Sequence, residues 1–115
     1  KSIEIIYGIR NFIGNANKFA KNNIYITLKS DSEFSEITVE DDGPGFSKDI
    51  LTKIGEPYIK SLRSDDSKKS GLGLGIFIGK TLLEKNYAKI LFRNSETRGG
   101  AEIKIEWLNK NLSKI

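Results

Sequence analysis

Three groups of residues in this chain have types and spacings that suit the binding of charged ligands. The first is a polar series at steps of four, three and four positions: Asn11, Asn15, Lys18 and Asn22. On a helix this spacing places all four on one stripe. Amide oxygens suit Mg²⁺, which is held by few protein groups together with substrate phosphates, and a lysine one turn further on can contact phosphate. A solvated helix face explains the same stripe equally well.

The second group is Asp41 with the glycines that follow it. Asp41 continues the alternation of Ile37 and Val39, so its carboxylate is predicted to point to the core side of a strand, where it needs hydrogen-bond donors. Gly43 and Gly45 permit a sharp turn and the close approach of a flat ligand. Such a carboxylate can accept from the exocyclic amine of adenine, whereas guanine presents a carbonyl oxygen. A capped turn is the alternative, because Asp and Gly are common in turns.

The third group is the string GLGLG, which contributes Gly71, Gly73 and Gly75. It precedes a run with helical spacing, so we predict that it begins a helix whose free amides bind phosphate. The string is not a P-loop, because GxxxxGK[ST] is absent, and Ile76 stands where the dinucleotide-binding fingerprint requires glycine. A glycine-rich hinge for a mobile loop is the alternative.

The hydrophobic pattern predicts the elements that carry these groups. Ile24, Ile26 and Leu28 alternate with polar or aromatic neighbours, which is typical of a half-buried strand. Helices over a mixed, largely antiparallel sheet would form a two-layer α/β sandwich, with about three helices on one face. The predicted elements are helix 3–21, strands 24–29 and 37–40, a short helix 48–54 capped by Ser47, a loop 55–70, helix 71–85, and strands 88–93 and 101–107.

Composition excludes several classes of protein. A chain of 115 residues with 37% hydrophobic and 30% charged residues suits one compact domain and is atypical of disorder. No apolar run reaches the ~20 residues that cross a bilayer. The absence of cysteine excludes disulfide scaffolds and thiol catalysis, and the absence of histidine removes the commonest general base. The net charge of +4 is spread along the chain, so we expect no nucleic-acid partner. Because methionine is also absent, we expect a piece of a longer protein.

In this order and at these separations, the three groups resemble the catalytic and ATP-binding domain of sensor histidine kinases, part of the GHKL family with the Bergerat fold. The string NFIGNANKF at 11–19 is similar to the family's N box, DDGPGF at 41–46 to its first glycine box, and GLGLGIFI at 71–78 to its second. IGEPYIK at 54–60 is a weaker relative of the F box. The resemblance covers nearly all of the chain and implies a single ATP-binding domain over residues 1–115.

The resemblance also implies roles for individual residues. Asn15 would be the principal Mg²⁺ ligand with Asn11 assisting, and Lys18 would contact phosphate. Asp41 would bind the adenine amine in a pocket shaped by glycines. With Lys60 as a candidate γ-phosphate contact, the implied catalytic residues are Asn15, Lys18 and Lys60. The other implied nucleotide contacts are Gly43 and Gly45, Tyr58 in an ATP lid over 55–70, and Gly71, Leu72, Gly73, Leu74 and Gly75.

Three positions depart from the family pattern. Gly55 replaces the first aromatic residue of the F box, and Tyr58 replaces the second. Leu72 replaces a common Thr or Ser, which removes a possible hydroxyl contact. The anchoring of the lid is therefore expected to differ from that in the family.

The resemblance implies a kinase that transfers the ATP γ-phosphoryl group to a histidine on a separate dimerisation domain. A response regulator, a homodimeric full-length protein and a cytoplasmic position in a membrane-anchored sensor follow from the same resemblance. The competing GHKL ATPases carry a glutamate four residues before the Mg²⁺ asparagine, where this chain has Asn11, and an amide is a very poor base. A degenerate nucleotide-sensing module remains a third alternative.

Overall fold

The computed structural model describes residues 2–48, 51 and 67–114; within these, residues 2 and 67–74 are described by their backbone. The predicted two-layer α/β sandwich is confirmed, with helices packed on one face of a sheet. The elements are α1 (Ser2–Phe19), β1 (Ile24–Ser30), β2 (Phe34–Asp41), α2 (Ser67–Lys85), β3 (Lys89–Asn94), β4 (Ala101–Leu108) and α3 (Asn109–Leu112).

The four strands form one sheet in the order β1-β2-β4-β3, and each of these neighbouring pairs is antiparallel. The register aligns Ile26 with Val39, Val39 with Ile103, and Ile103 with Phe92. Because side chains alternate along a strand, these four lie on one face of the sheet. That face carries the buried apolar residues of β2 and β4 and receives the helices.

The core lies between this face and the two long helices. Phe12 of α1 and Leu83 of α2 are fully buried, as are Val39 and Ile105 on the sheet. The rings of Phe12 and Phe92 meet edge to face with their centroids 6.0 Å apart, a favoured aromatic arrangement. Phe12 therefore anchors α1 on the sheet.

Two glycines bring α1 and α2 into close contact. A Cβ added at Gly79 would lie 2.6 Å from Phe12 Cε1 and 3.0 Å from the carbonyl oxygen of Gly8. A Cβ at Gly8 would lie 2.9 Å from Leu83 Cγ. The helices can approach this closely only because neither position carries a side chain, and real Cβ atoms do not tolerate such distances.

The predicted burial of β1 is wrong for two residues. Ile26 and Leu28 share the core-side face, as expected, but they are 51% and 71% exposed. β1 is an edge strand, and the helices pack farther along the sheet, where α1 contacts β2 and α2 contacts β3. Alternation in the sequence thus identified the face of the strand but not what covers it.

Helix boundaries also differ from the predictions. α2 begins at Ser67, so residues 67–70 are helical rather than the end of a loop, and α1 ends at Phe19. Residues 67–70, SKKS, lack apolar periodicity, which explains why the pattern missed them. Lys48 and Leu51 are helical, and the amide of Leu51 donates to the Ser47 carbonyl at 3.0 Å. The rest of the predicted short helix and residues 55–66 of the predicted loop lie outside the described residues.

The short helix α3 was not predicted. None of the helices in the described part of the chain is long and apolar enough to span a membrane.

Candidate functional site

Asp41 lies at the end of β2 and points to the core side of the sheet, as predicted. It is 2% exposed, and its Oδ1 atom accepts hydrogen bonds from the amides of Gly43 at 2.9 Å and Ala101 at 3.2 Å. Both hydrogen bonds that Asp41 accepts from described residues go to this one oxygen. The carboxylate is thus fixed by backbone donors, and Oδ2 keeps its capacity to accept from a ligand.

The backbone packs so closely around Asp41 that two nearby positions must be glycine. A Cβ at Gly100 would collide with Asp41 Oδ1, and one at Gly43 would collide with the carbonyl oxygen of Phe19. Gly45 has φ of +81°, a conformation that L side chains rarely adopt. The predicted glycine loop therefore does form a tight turn, which we call the 42–46 loop, and it packs against the end of α1.

The turn between β3 and β4 brings the amide of Ala101 to the carboxylate of Asp41. Ser95 organises this turn: its amide donates to the Gly100 carbonyl at 2.7 Å, and its hydroxyl accepts from the amide of Arg98 at 3.0 Å. The same hydroxyl donates to Glu40 Oε2 at 2.7 Å, which ties the turn to β2. The donors of Asp41 are therefore held by the hydrogen bonds of a neighbouring turn.

Asn11 and Asn15 lie on α1, as predicted, and their environments differ. Asn11 Nδ2 donates to the carbonyl of Tyr7 at 2.9 Å, and a Cβ at Gly75 would be 3.9 Å from Asn11 Oδ1. The structure thus brings the N box and the second glycine box together. Asn15 is only 8% exposed, yet its amide forms no hydrogen bond with the described part of the chain. A nearly buried amide without a partner is able to bind a ligand.

Lys18 is exposed near the end of α1, with Nζ 5.7 Å from the centroid of the adjacent Phe19 ring. Phe19 lies one helical turn after Asn15, and its carbonyl contacts the 42–46 loop through Gly43. The end of α1 that carries Asn15 and Lys18 therefore contacts the 42–46 loop.

The glycines of the second glycine box are not at the start of a helix. Gly71, Gly73 and Gly75 lie inside α2, which begins at Ser67. Only the first four amides of a helix lack an intrahelical acceptor, so the amides from Gly71 onward are used within α2. The argument that free N-terminal amides of this helix bind phosphate does not apply to these glycines in this structure.

Other predicted contacts cannot be placed. Tyr58, Lys60 and residues 55–66 of the predicted ATP lid lie outside the described residues. For Leu72 and Leu74 only the helical backbone of α2 is described.

Sequence reasoning missed two side chains that hold the 42–46 loop. The carboxylate of Asp42 accepts from three consecutive amides after α1, those of Lys21, Asn22 and Asn23. Asn94 pairs with the backbone of Phe46, accepting from its amide at 2.7 Å and donating to its carbonyl at 3.0 Å. The doubled aspartate in DDGPG was a signal for the first; nothing in the sequence indicated the second.

The missed role of Gly79 also had a signal. Gly75 and Gly79 are four positions apart on α2, a spacing that places two small residues on one helix face. That face meets Gly8, Asn11 and Phe12 of α1.

Comparisons with known proteins agree with this geometry. The chain matches the family model of histidine kinase-, DNA gyrase B- and HSP90-like ATPases over residues 1–111. It is 37% identical over 97 residues to the sensor histidine kinase RegB of Cereibacter sphaeroides, which covers 80% of this chain and 21% of RegB. The chain thus spans about a fifth of the length of this relative.

Solved structures agree in fold. The catalytic domain of the histidine kinase ThkA is similar with a TM-score of 0.71 and 25% identity, over 92% of this chain and 66% of that one. Full-length ShkA in complex with AMPPNP is similar with a TM-score of 0.67 and 24% identity, over 90% of this chain and 21% of ShkA. The resemblance to the ATP-binding domain of sensor histidine kinases is confirmed, and the chain belongs to the family of histidine kinase-, DNA gyrase B- and HSP90-like ATPases.

Proposed function

We propose that this chain binds ATP with Mg²⁺ and donates the γ-phosphoryl group to a histidine on a separate dimerisation domain. The observation that carries the proposal is the buried carboxylate of Asp41, whose Oδ1 is saturated by two backbone donors. The exocyclic amine of adenine is the donor that matches the remaining oxygen. Gly43 and Gly45 would shape this half of the site, because the 42–46 loop packs against Phe19 and Asn94 where a Cβ at either position would lie.

The residues on α1 fit a Mg²⁺–phosphate group. The side-chain amide of Asn15 is nearly buried and forms no hydrogen bond with the described residues. The Oδ1 atom of Asn11 lies near Gly75, where α1 and α2 are in close contact. Neutral amide oxygens suit a cation that keeps several waters and takes further oxygens from the phosphates. When bound, Mg²⁺ would neutralise charge on the phosphates, while Asn15, Asn11 and Lys18 would orient them.

The second glycine box keeps its proposed role, with a different physical reason. Each glycine in a helix interior costs about 1 kcal/mol relative to alanine, so Gly71, Gly73 and Gly75 weaken the first half of α2. Unwinding this half would free amides for the phosphates at a small cost. Leu72 and Leu74 would move with them, and Tyr58 and Lys60 would contribute from the proposed lid over 55–70, of which residues 67–70 form the first turn of α2.

Transfer is favoured over hydrolysis because the chain lacks a base at the expected position. Asn11 is an amide that donates to the Tyr7 carbonyl, and it cannot take a proton from water at neutral pH. The chain also contains no histidine, so an acceptor histidine must lie elsewhere. We therefore propose a dimerisation domain with that histidine, a response regulator, and a cytoplasmic position for this domain in a homodimeric, membrane-anchored sensor.

The test mixes the purified chain with the histidine-bearing domain of the same full-length protein and γ-labelled ATP. We expect acid-labile, base-stable phosphate on the partner, and none without Mg²⁺. Rapid phosphate release by the chain alone would favour a GHKL ATPase. Tight ATP binding with neither transfer nor release would favour a nucleotide-sensing module.

A further inference from the structure

Asp42 joins the 42–46 loop to the end of α1. Its Oδ1 accepts from the amide of Lys21 at 2.8 Å and of Asn22 at 3.0 Å, and its Oδ2 accepts from the amide of Asn23 at 3.1 Å. Three successive backbone amides converging on one carboxylate form an anion-binding nest, occupied here by a side chain of the protein itself. Hydrogen bonds of this kind, with a charged acceptor, are about twice as strong as neutral ones.

A second, independent contact joins the same two segments, residues 42–43 and residues 19–23, which we together call the junction. Gly43 packs against the carbonyl of Phe19, the last residue of α1, so closely that no Cβ fits. The amide of Ala20 still donates to the Ala16 carbonyl at 2.8 Å, which extends the helical hydrogen bonding to the edge of the nest. Two consecutive residues of the loop, Asp42 and Gly43, are thus fixed to the backbone that ends α1.

This junction connects the two halves of the site. Asp41, the adenine-binding residue of the proposal, immediately precedes Asp42 on the loop side. Asn15 and Lys18, which would meet Mg²⁺ and phosphate, lie within about one helical turn of Phe19 on the helix side. Hydrogen bonds from Asn22, Asn23 and Lys21 also keep the pKa of Asp42 below its usual range, so the carboxylate remains ionised at neutral pH.

We propose that Asp42 is a positioning residue that sets the separation between the adenine half and the Mg²⁺–phosphate half of the nucleotide site. It contacts neither the metal nor the nucleotide. This assignment rests on the proposed function and names how that site is held together. A ligand that spans both halves depends on the junction, whereas a ligand that occupies the adenine half alone does not.

The chain offers a matched control in Asp31. Its Oδ1 also accepts from two backbone amides, those of Glu33 at 2.9 Å and Phe34 at 2.8 Å, at the turn between β1 and β2. Backbone hydrogen bonds likewise lower the pKa of Asp31. Replacing either aspartate removes the same kind of interaction, but only Asp42 links α1 to the 42–46 loop.

The experiment measures, by calorimetry on the whole chain, the affinities for ATP with Mg²⁺ and for adenosine. Asp42→Ala is expected to weaken binding of ATP with Mg²⁺ about tenfold, because the two halves of the site are no longer held at one separation, while adenosine affinity changes little. Asp42→Asn keeps the shape and one acceptor oxygen, which can retain the two hydrogen bonds from the amides of Lys21 and Asn22, so its effect should lie between. Asp31→Ala should leave the ratio of the two affinities unchanged.

Three outcomes would overturn the proposal. An equal loss for both ligands in Asp42→Ala and Asp42→Asn would indicate general destabilisation, and unchanged affinities would indicate no role. The same altered ratio in Asp31→Ala would show that the effect is not specific to the junction. If the unaltered chain binds adenosine but not ATP with Mg²⁺, the proposed function fails first, which distinguishes the two failures.

Discussion

At the scale of single residues, Asp41 is expected to decide which base is bound. In Asp41→Asn the amide oxygen can still accept from Gly43 and Ala101, which turns the NH₂ group toward the ligand. Loss of a charged hydrogen bond costs about 1.5–3 kcal/mol, so ATP affinity should fall about tenfold or more. Calorimetric titration with ATP and GTP measures this, and the discrimination against GTP should also weaken. Unchanged ATP affinity, or GTP binding as tightly as ATP in the unaltered chain, would contradict the assignment.

Asn15 provides a second residue-scale prediction, in the Mg²⁺ dependence of binding. Asn15→Ala should reduce ATP affinity by at least about tenfold with Mg²⁺ present and little with EDTA, because only the Mg²⁺-dependent contribution to ATP binding is lost. Asn17→Ala is the matched control, since Asn17 is exposed on the same helix. Should Asn15→Ala retain full Mg²⁺-dependent binding and transfer, Asn15 would have to be regarded as a packing residue.

At the scale of the elements, the same substitution is expected to have opposite effects in the two helices. Gly79→Ala places a Cβ against buried Phe12 and the Gly8 carbonyl, and overpacking of this kind typically costs about 1–3 kcal/mol. Gly14→Ala meets nothing within 4 Å and should stabilise by up to about 1 kcal/mol through helix propensity. Urea unfolding of both variants tests this. A stabilised Gly79→Ala variant would mean that the helices are not in close contact.

Glu4 links the start of α1 to the end of α2 and gives a pH-dependent prediction. Hydrogen bonds from Asn86 and then Lys85 lower its pKa from the ordinary value of 4.5 to about 2. A lowered folded-state pKa stabilises above the unfolded value, and that contribution disappears as the pH falls from about 4.5 to about 2. Glu4→Gln should therefore lower the urea midpoint slightly at pH 7, and the difference should shrink by pH 3.

The effect of Glu4→Gln should be small and should decrease with salt, because the Glu4 side chain is 28% exposed. Glu33→Gln, at an exposed position in the turn before β2, is the control. A stability difference between the Glu4→Gln variant and the unaltered chain that stayed constant from pH 7 to pH 3 would rule out the expected linkage.

For the molecule as a whole, ligand binding should stabilise the fold. ATP with Mg²⁺ would contact α1, the 42–46 loop and α2, which are together only in the folded chain. At a hundred times Kd this adds about 2.7 kcal/mol to the free energy of unfolding, or roughly 10 °C in Tm for a domain of this size. Calorimetric melting with and without ATP and Mg²⁺ measures the shift. GTP should give a smaller one; equal shifts would argue against recognition of adenine.

The sequence by itself determined the features that depend on neighbouring residues. Helical spacing placed Asn11 and Asn15 on one stripe of α1, the helix that carries the proposed site. Alternation in β2 placed Asp41 on the core side of the sheet. These predictions held because the direction of a side chain follows from the period of its own helix or strand. The order of the three motifs was sufficient to indicate the family.

The tertiary structure decided the features that depend on residues distant in sequence. Leu28 has the right alternation but is exposed, because its burial depends on what packs over an edge strand. Asp42 accepts hydrogen bonds from amides about twenty residues before it in the sequence. Gly79 allows α2 to pack closely against Gly8 of α1. No local sequence pattern encodes these long-range contacts. They arise only when the packing of α1 on the sheet brings the end of that helix against the 42–46 loop.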